Sequence, residues 1–143
     1  MTAVLNIILC CHNPPAPIGV GFLQTLNPGD EMAGVGTEKI FENDKVIVWN
    51  FTLEPGEETP LHTHEHAYMW YAIQGAPLQV FDENGKDLGT LEVPTGTVYS
   101  LKLEDGFLEV LSEPGKGVKV PAKHKAKNVG PTQYREVLVE YKN

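Results

Sequence analysis

From Glu38 to the C-terminus, no stretch of ten or more residues shows helical apolar spacing without a glycine or proline break. That absence excludes a helical domain and leaves a chain of short strands. "KVIVWNFTL" is β-branched and aromatic and stops at "EPGEETP"; "AYMWYAI" stops at "QGAP", "LQVF" at "DENGK" and "GTLEV" at "PTG". "VYSLKL" and "FLEVL" flank the turn "EDG", "VKVPAKHKAKN" follows "SEPGKG", and "YREVLVEY" alternates cleanly. Apolar runs separated by turn signals every 8–12 residues or so are the pattern of an all-β antiparallel sandwich or barrel.

The part before Met32 reads differently. "VLNIILCC" is apolar but far shorter than the roughly 20 residues that cross a bilayer. It lacks the basic segment and small-residue cleavage site of a signal peptide, so it is expected to be a strand or a packing arm. "HNPPAPIGVG" follows as an extended connector. Residues 1–31 are therefore read as an N-terminal arm or strand extension with a proline-rich connector, and residues 32–143 as one barrel domain.

Charge and cysteine usage narrow the partners. Eleven Lys and Arg against 19 Asp and Glu give a net charge of -8, which argues against nucleic acid and anionic membranes as partners. Cys10 and Cys11 are adjacent and cannot build a disulfide framework, so a cytoplasmic location is expected. Lys116, Lys119, Lys123, Lys125 and Lys127 alternate as on a solvated strand face, and Arg135 and Glu136 are read as cross-strand pairing groups.

Five histidines occur in the chain, and three of them, His62, His64 and His66, fall within five residues. Side chains two apart on a strand share a face and start about 7 Å apart, so His62 and His64 can converge on one ion. His66 starts about 13 Å from His62 and needs a bend in the chain to join them. His124 lies in a distant expected strand, and a pair from one strand with a third group from another is how a barrel assembles an interior site.

At these residues the chain resembles the cupin superfamily. That family's first motif is a Gly, five residues, His-x-His, three or four residues, a Glu, six residues and a Gly. Gly56, His62, His64 and Gly75 meet this spacing, with Tyr68 in place of the Glu. Pro121, His124 and Asn128 resemble the second motif, although its Gly is missing and the approach is shortened. The resemblance covers about residues 38 to 142 and leaves room for an extra hairpin around residues 97 to 111.

The resemblance implies an all-β antiparallel jelly-roll barrel with His62, His64 and His124 as ligands to one divalent metal ion: Fe, Zn, Mn, Ni or Cu. A three-imidazole site without the carboxylate keeps the full charge of the ion and leaves coordination positions open. Tyr68 has three open readings: a space-filling aromatic, a hydrogen-bonding or acid-base group whose pKa a nearby cation lowers, or a direct ligand. Trp70 and Ala72 share its face by parity, giving an aromatic, largely apolar pocket. His66 is read as a substitute ligand, a proton shuttle or a surface histidine.

The resulting expectation is a small metal-dependent enzyme of dioxygenase, isomerase or lyase type, acting on a small organic molecule. Its competitors are a non-catalytic ligand binder or sensor with a weakened metal site, and a barrel serving as an interaction scaffold. A homodimer is expected, because cupins commonly pair by exchanging or adding strands.

Overall fold

A computed structural model describes residues 34–143, so the expected arm and proline-rich connector lie outside the described residues. Eleven strands follow in order: β1 (Glu38–Glu42), β2 (Val46–Leu53), β3 (His62–Thr63), β4 (Ala67–Gln74), β5 (Leu78–Asp82), β6 (Asp87–Leu91), β7 (Val98–Glu104), β8 (Phe107–Val110), β9 (Lys119–Pro121), β10 (Lys123–Asn128) and β11 (Tyr134–Tyr141). They form a seven-stranded sheet in the order β1-β2-β11-β4-β7-β8-β9 and a four-stranded sheet in the order β3-β10-β5-β6. All ladders between named strands are antiparallel. The extra hairpin expected near residues 97 to 111 is β7–β8. No helix of the described residues is long and apolar enough to cross a membrane.

Turn chemistry sets the hairpins. Asn43 Oδ1 accepts from the backbone N–H groups of Lys45 (2.8 Å) and Val46 (2.9 Å), closing the turn between β1 and β2. At "EDG", Asp105 and Gly106 have φ of 52° and 76°, the paired positive values of a primed hairpin turn that matches strand twist.

Period-2 alternation then decides what is inside. Tyr68, Trp70 and Ala72 of β4, Tyr99 and Leu101 of β7, Leu108 and Val110 of β8, and Tyr134 and Leu138 of β11 are all buried. Together with Phe51 and Leu53 of β2 they form one core between the two sheets.

"VKVPAKHKAKN" is not the single run that the sequence suggests. It breaks at Ala122, where the chain leaves the large sheet as β9 and enters the small one as β10. Ala122 holds the crossing point: its N–H donates to Gly106 O (2.8 Å), and its carbonyl accepts from His64 N–H (3.0 Å). The break lets one short segment pair on both sheets and places His124 at the start of a strand directly beside β3.

Candidate metal centre

Register brings the histidines together. In the β3–β10 ladder, His62 and His124 are direct partners, and His64 follows on the same face just past the end of β3. All three side chains are buried, and a nitrogen from each lies within 4.8 Å of the other two. His62 Nδ1 is 3.0 Å from Pro60 O and His124 Nδ1 is 2.7 Å from Pro121 O. Each carbonyl can only accept, so Nδ1 carries the proton and Nε2 presents a bare lone pair.

His62 Nε2 lies 3.2 Å from His64 Nε2. Two imidazole nitrogens bound to one ion at about 2.1 Å stand roughly 3.0–3.4 Å apart, so this pair fits a shared metal. Burial lowers the pKa of all three rings: His62 below its ordinary value, His64 well below it with help from its two neighbours, and His124 to about 4. Neutral imidazoles are the form that binds metal, and the site holds them neutral at pH 7.

The cluster opens onto a cavity of about 230 Å³ between the sheets. Tyr68, Trp70, Phe51, Leu101 and Leu138 supply much of its wall, while the exposed Leu88 and Val118 mark its mouth. Pockets for drug-sized ligands run from roughly 300 to 1,000 Å³, so this one suits a smaller molecule.

No protein-family model matches the chain, and no curated protein matches it. Solved structures do. A cupin domain from Bordetella pertussis Tohama I superposes with a TM-score of 0.53 at 23% identity, covering 74% of this chain and 91% of that one. A cupin 2 conserved barrel domain protein from Salinispora arenicola gives 0.47 at 17% identity over 73% of both chains. A cupin family protein with a double-stranded β-helix fold from Methanocaldococcus jannaschii gives 0.48 at 14%, covering 85% of this chain and 93% of that one. The chain has the fold of the cupin superfamily.

Both glycines at the motif positions have a mechanical reason. Gly56 takes φ of 82° in a turn, and its N–H donates to Asn128 O (2.8 Å). Gly75 packs so closely on the β6–β7 connection that an added Cβ would stand 1.9 Å from Val93 O. Asn128 is fully buried and ties loops rather than ligands: its Nδ2 donates to Leu53 O (3.0 Å) and Thr132 O (2.8 Å), and its Oδ1 accepts from Gly130 N–H (2.9 Å).

Tyr68 lies flat on His64, with centroids 4.4 Å apart and planes 9° from parallel. Trp70 stacks on Tyr68 at 5.6 Å, and Tyr99 on Trp70 at 4.6 Å, so a ladder of rings backs the histidine cluster. Burial, then Glu136 and Glu140, push the Tyr68 hydroxyl well above its ordinary value.

His66 sits in the bend before β4, outside the three-histidine group and the cavity wall. The lysines of the basic stretch face outward, and three of them pair with acids: Lys119 with Glu109, Lys123 with Glu83 and Lys125 with Glu58.

The reading of Glu136 as a cross-strand pairing group is corrected. Arg135 is exposed on the outer face of β11, whereas Glu136 is 7% exposed and lines the cavity. Tyr134, Glu136, Leu138 and Glu140 all point inward. The Tyr134 hydroxyl donates to Glu136 Oε2, and Trp49 Nε1 donates to Glu140 Oε2 at 2.8 Å. Burial pushes the Glu136 carboxyl up to about 8, against the lowering effect of the Tyr134 bond.

Proposed function

We propose that this cupin is a metal-dependent enzyme that holds one divalent ion on His62, His64 and His124 and acts on a small organic molecule in the adjoining cavity. The observation that carries this reading is the pair of Nε2 atoms 3.2 Å apart, with the Nδ1 atoms of His62 and His124 anchored on backbone carbonyls. Such anchoring fixes ring orientation and tautomer, as it does at metal sites generally.

A bound divalent ion supplies positive charge that polarises a carbonyl or enolate oxygen. The chain's own groups do the rest. The apolar wall takes the body of the substrate and excludes water, which strengthens every electrostatic interaction inside. Tyr68 buttresses His64 from the side and keeps it from turning away from the other two rings.

A non-catalytic ligand binder is the second reading, and Tyr68 favours it, because a carboxylate ligand is missing where the family motif has one. The deciding experiment is elemental measurement on protein purified without a histidine tag, as wild type and as His124→Ala. About one ion per chain in the wild type and little in the variant is the expected result. No ion in either, after incubation with Fe(II), Mn(II) and Zn(II), would overturn the metal reading and select the binder.

A further inference from the structure

Among the described residues that line the cavity, Glu136 is the one carboxylic acid, and no lysine or arginine lines it. The buried Tyr134 hydroxyl needs an acceptor there, but a neutral amide would serve it as well as an acid. Leu138, two residues along the same face of β11, also lines the cavity and shows that the wall accepts an aliphatic side chain. Burying a carboxyl without a cation is costly, so its presence in an apolar wall calls for a role. Tyr134 occupies Oε2 and orients the group, leaving Oε1 for a molecule in the cavity.

We propose that Glu136 is the proton-transfer group of this cavity, and that the site takes a small, mainly apolar carbonyl compound bearing a removable proton on the carbon next to the carbonyl. The inference rests on the reading of this cavity as a substrate site, but it stands whether or not the histidines hold a metal.

In the step itself the Glu136 carboxylate takes the proton: the C–H bond breaks, an O–H bond forms on Glu136, and the electron pair moves onto the carbonyl oxygen to give an enolate. The reverse step returns the proton to the same carbon or to its conjugated neighbour. Nothing is oxidised or reduced, and no second reactant is needed. Of the chemistries open to this fold, the geometry points to isomerisation through an enolate.

A carboxyl pushed up to about 8 is well matched to such work near neutral pH, where an ordinary glutamate is too weak a base. The groups around it are Tyr134 and Glu140 on its own strand, Tyr68 from β4, and His62, His64 and His124 across the cavity; β2 contributes the uncharged Phe51.

The test follows the exchange of α-protons of phenylacetone, cyclohexanone and 2-indanone in D2O by proton NMR, with the protein as purified and after chelator treatment. Wild type is expected to accelerate exchange of at least one ketone over buffer by about 100-fold or more, and Glu136→Gln to lose that acceleration. Tyr134→Phe is expected to keep exchange and to move its pH midpoint upward, since the lost hydrogen bond stabilised the carboxylate. This variant carries the test if Glu136→Gln does not fold.

Equal rates in wild type and Glu136→Gln, an unmoved midpoint in Tyr134→Phe, or no acceleration of any of the three ketones would overturn the proposal. Metal content measured on the same samples separates the two readings. Exchange without metal removes the metal centre alone, and metal without exchange removes the role of Glu136 alone.

Discussion

His62 and His124 stand opposite each other across the β3–β10 ladder with ring centroids 4.9 Å apart, and each rests its Nδ1 on the carbonyl of a nearby proline, Pro60 and Pro121. The two strands thus solve the same problem in the same way. Each proline carbonyl fixes the tautomer, and the ladder register fixes the separation, so the Nε2 lone pairs face a common point before any ligand arrives. Two of the three imidazoles that could hold one ion are preorganised in this way.

Tyr68 tests how far that site depends on the residue that replaces the family's glutamate. Its ring is stacked face to face on His64, and burial keeps its hydroxyl protonated. Tyr68→Phe is therefore expected to leave metal content unchanged, whereas Tyr68→Ala should reduce affinity by roughly the 10–100-fold typical of lost outer-shell support. Metal lost in Tyr68→Phe would show that the phenol oxygen itself is a ligand.

The two motif glycines should fail differently. Gly56→Ala meets open space and suffers only from its φ of 82°, so a cost of about 1 kcal/mol is expected. Gly75→Ala drives a methyl group to 1.9 Å from Val93 O, a backbone atom that cannot rotate away, and should cost about 3 kcal/mol or more. Urea unfolding of both variants gives the comparison, and similar midpoints would contradict it.

Much of this was legible in the residues, and each failure has a physical cause. β11 spans the run "YREVLVEY", and parity alone put His62 and His64 on one face. The same parity put Tyr134, Glu136, Leu138 and Glu140 on a single face, but it could not say that this face was the inner one. Both faces of the strand carry apolar residues: Val137 and Val139 lie on the outer side, so hydrophobicity did not separate inside from outside, and the charge of Glu136 suggested solvent. The split of "VKVPAKHKAKN" at Ala122 was hidden for another reason. Its cause is the change of sheet, set by contacts to Gly106 and His64 that are remote in sequence.

Asn128 is expected to act on stability and not on chemistry. Its side chain makes three hydrogen bonds that join the end of β2, the loop before β11 and its own strand; the one to Leu53 O is buried and the two to the loop are part-buried. Asn128→Ala strands the buried Leu53 carbonyl, at a cost of roughly 1–3 kcal/mol, and frees the partly solvated Thr132 carbonyl and Gly130 N–H at a smaller cost. A loss of about 2 kcal/mol or more in denaturant unfolding is expected, with metal content per folded chain unchanged. A fully stable variant that no longer takes up metal would place Asn128 in the site instead.

Glu136 predicts an unusual dependence of stability on pH. Its folded-state pKa is raised from 4.5 to about 8, so between these values the native protein keeps a proton that the unfolded chain has released. The unfolded state gains from ionising and the native state does not, so this group's contribution to stability falls as pH rises from about 4.5 through 8 and is constant outside that window. At 1.36 kcal/mol per pKa unit, the loss is on the order of 3–5 kcal/mol once pH passes the folded value. Glu136→Gln has no proton to lose. It is expected to match wild type near pH 4.5 and to exceed it by about 3 kcal/mol or more at about pH 9, as read from urea unfolding at the two pH values. A wild-type advantage at the higher pH would mean that Glu136 is ionised and favourably paired in the folded barrel, and that the apolar wall around it does not govern its proton.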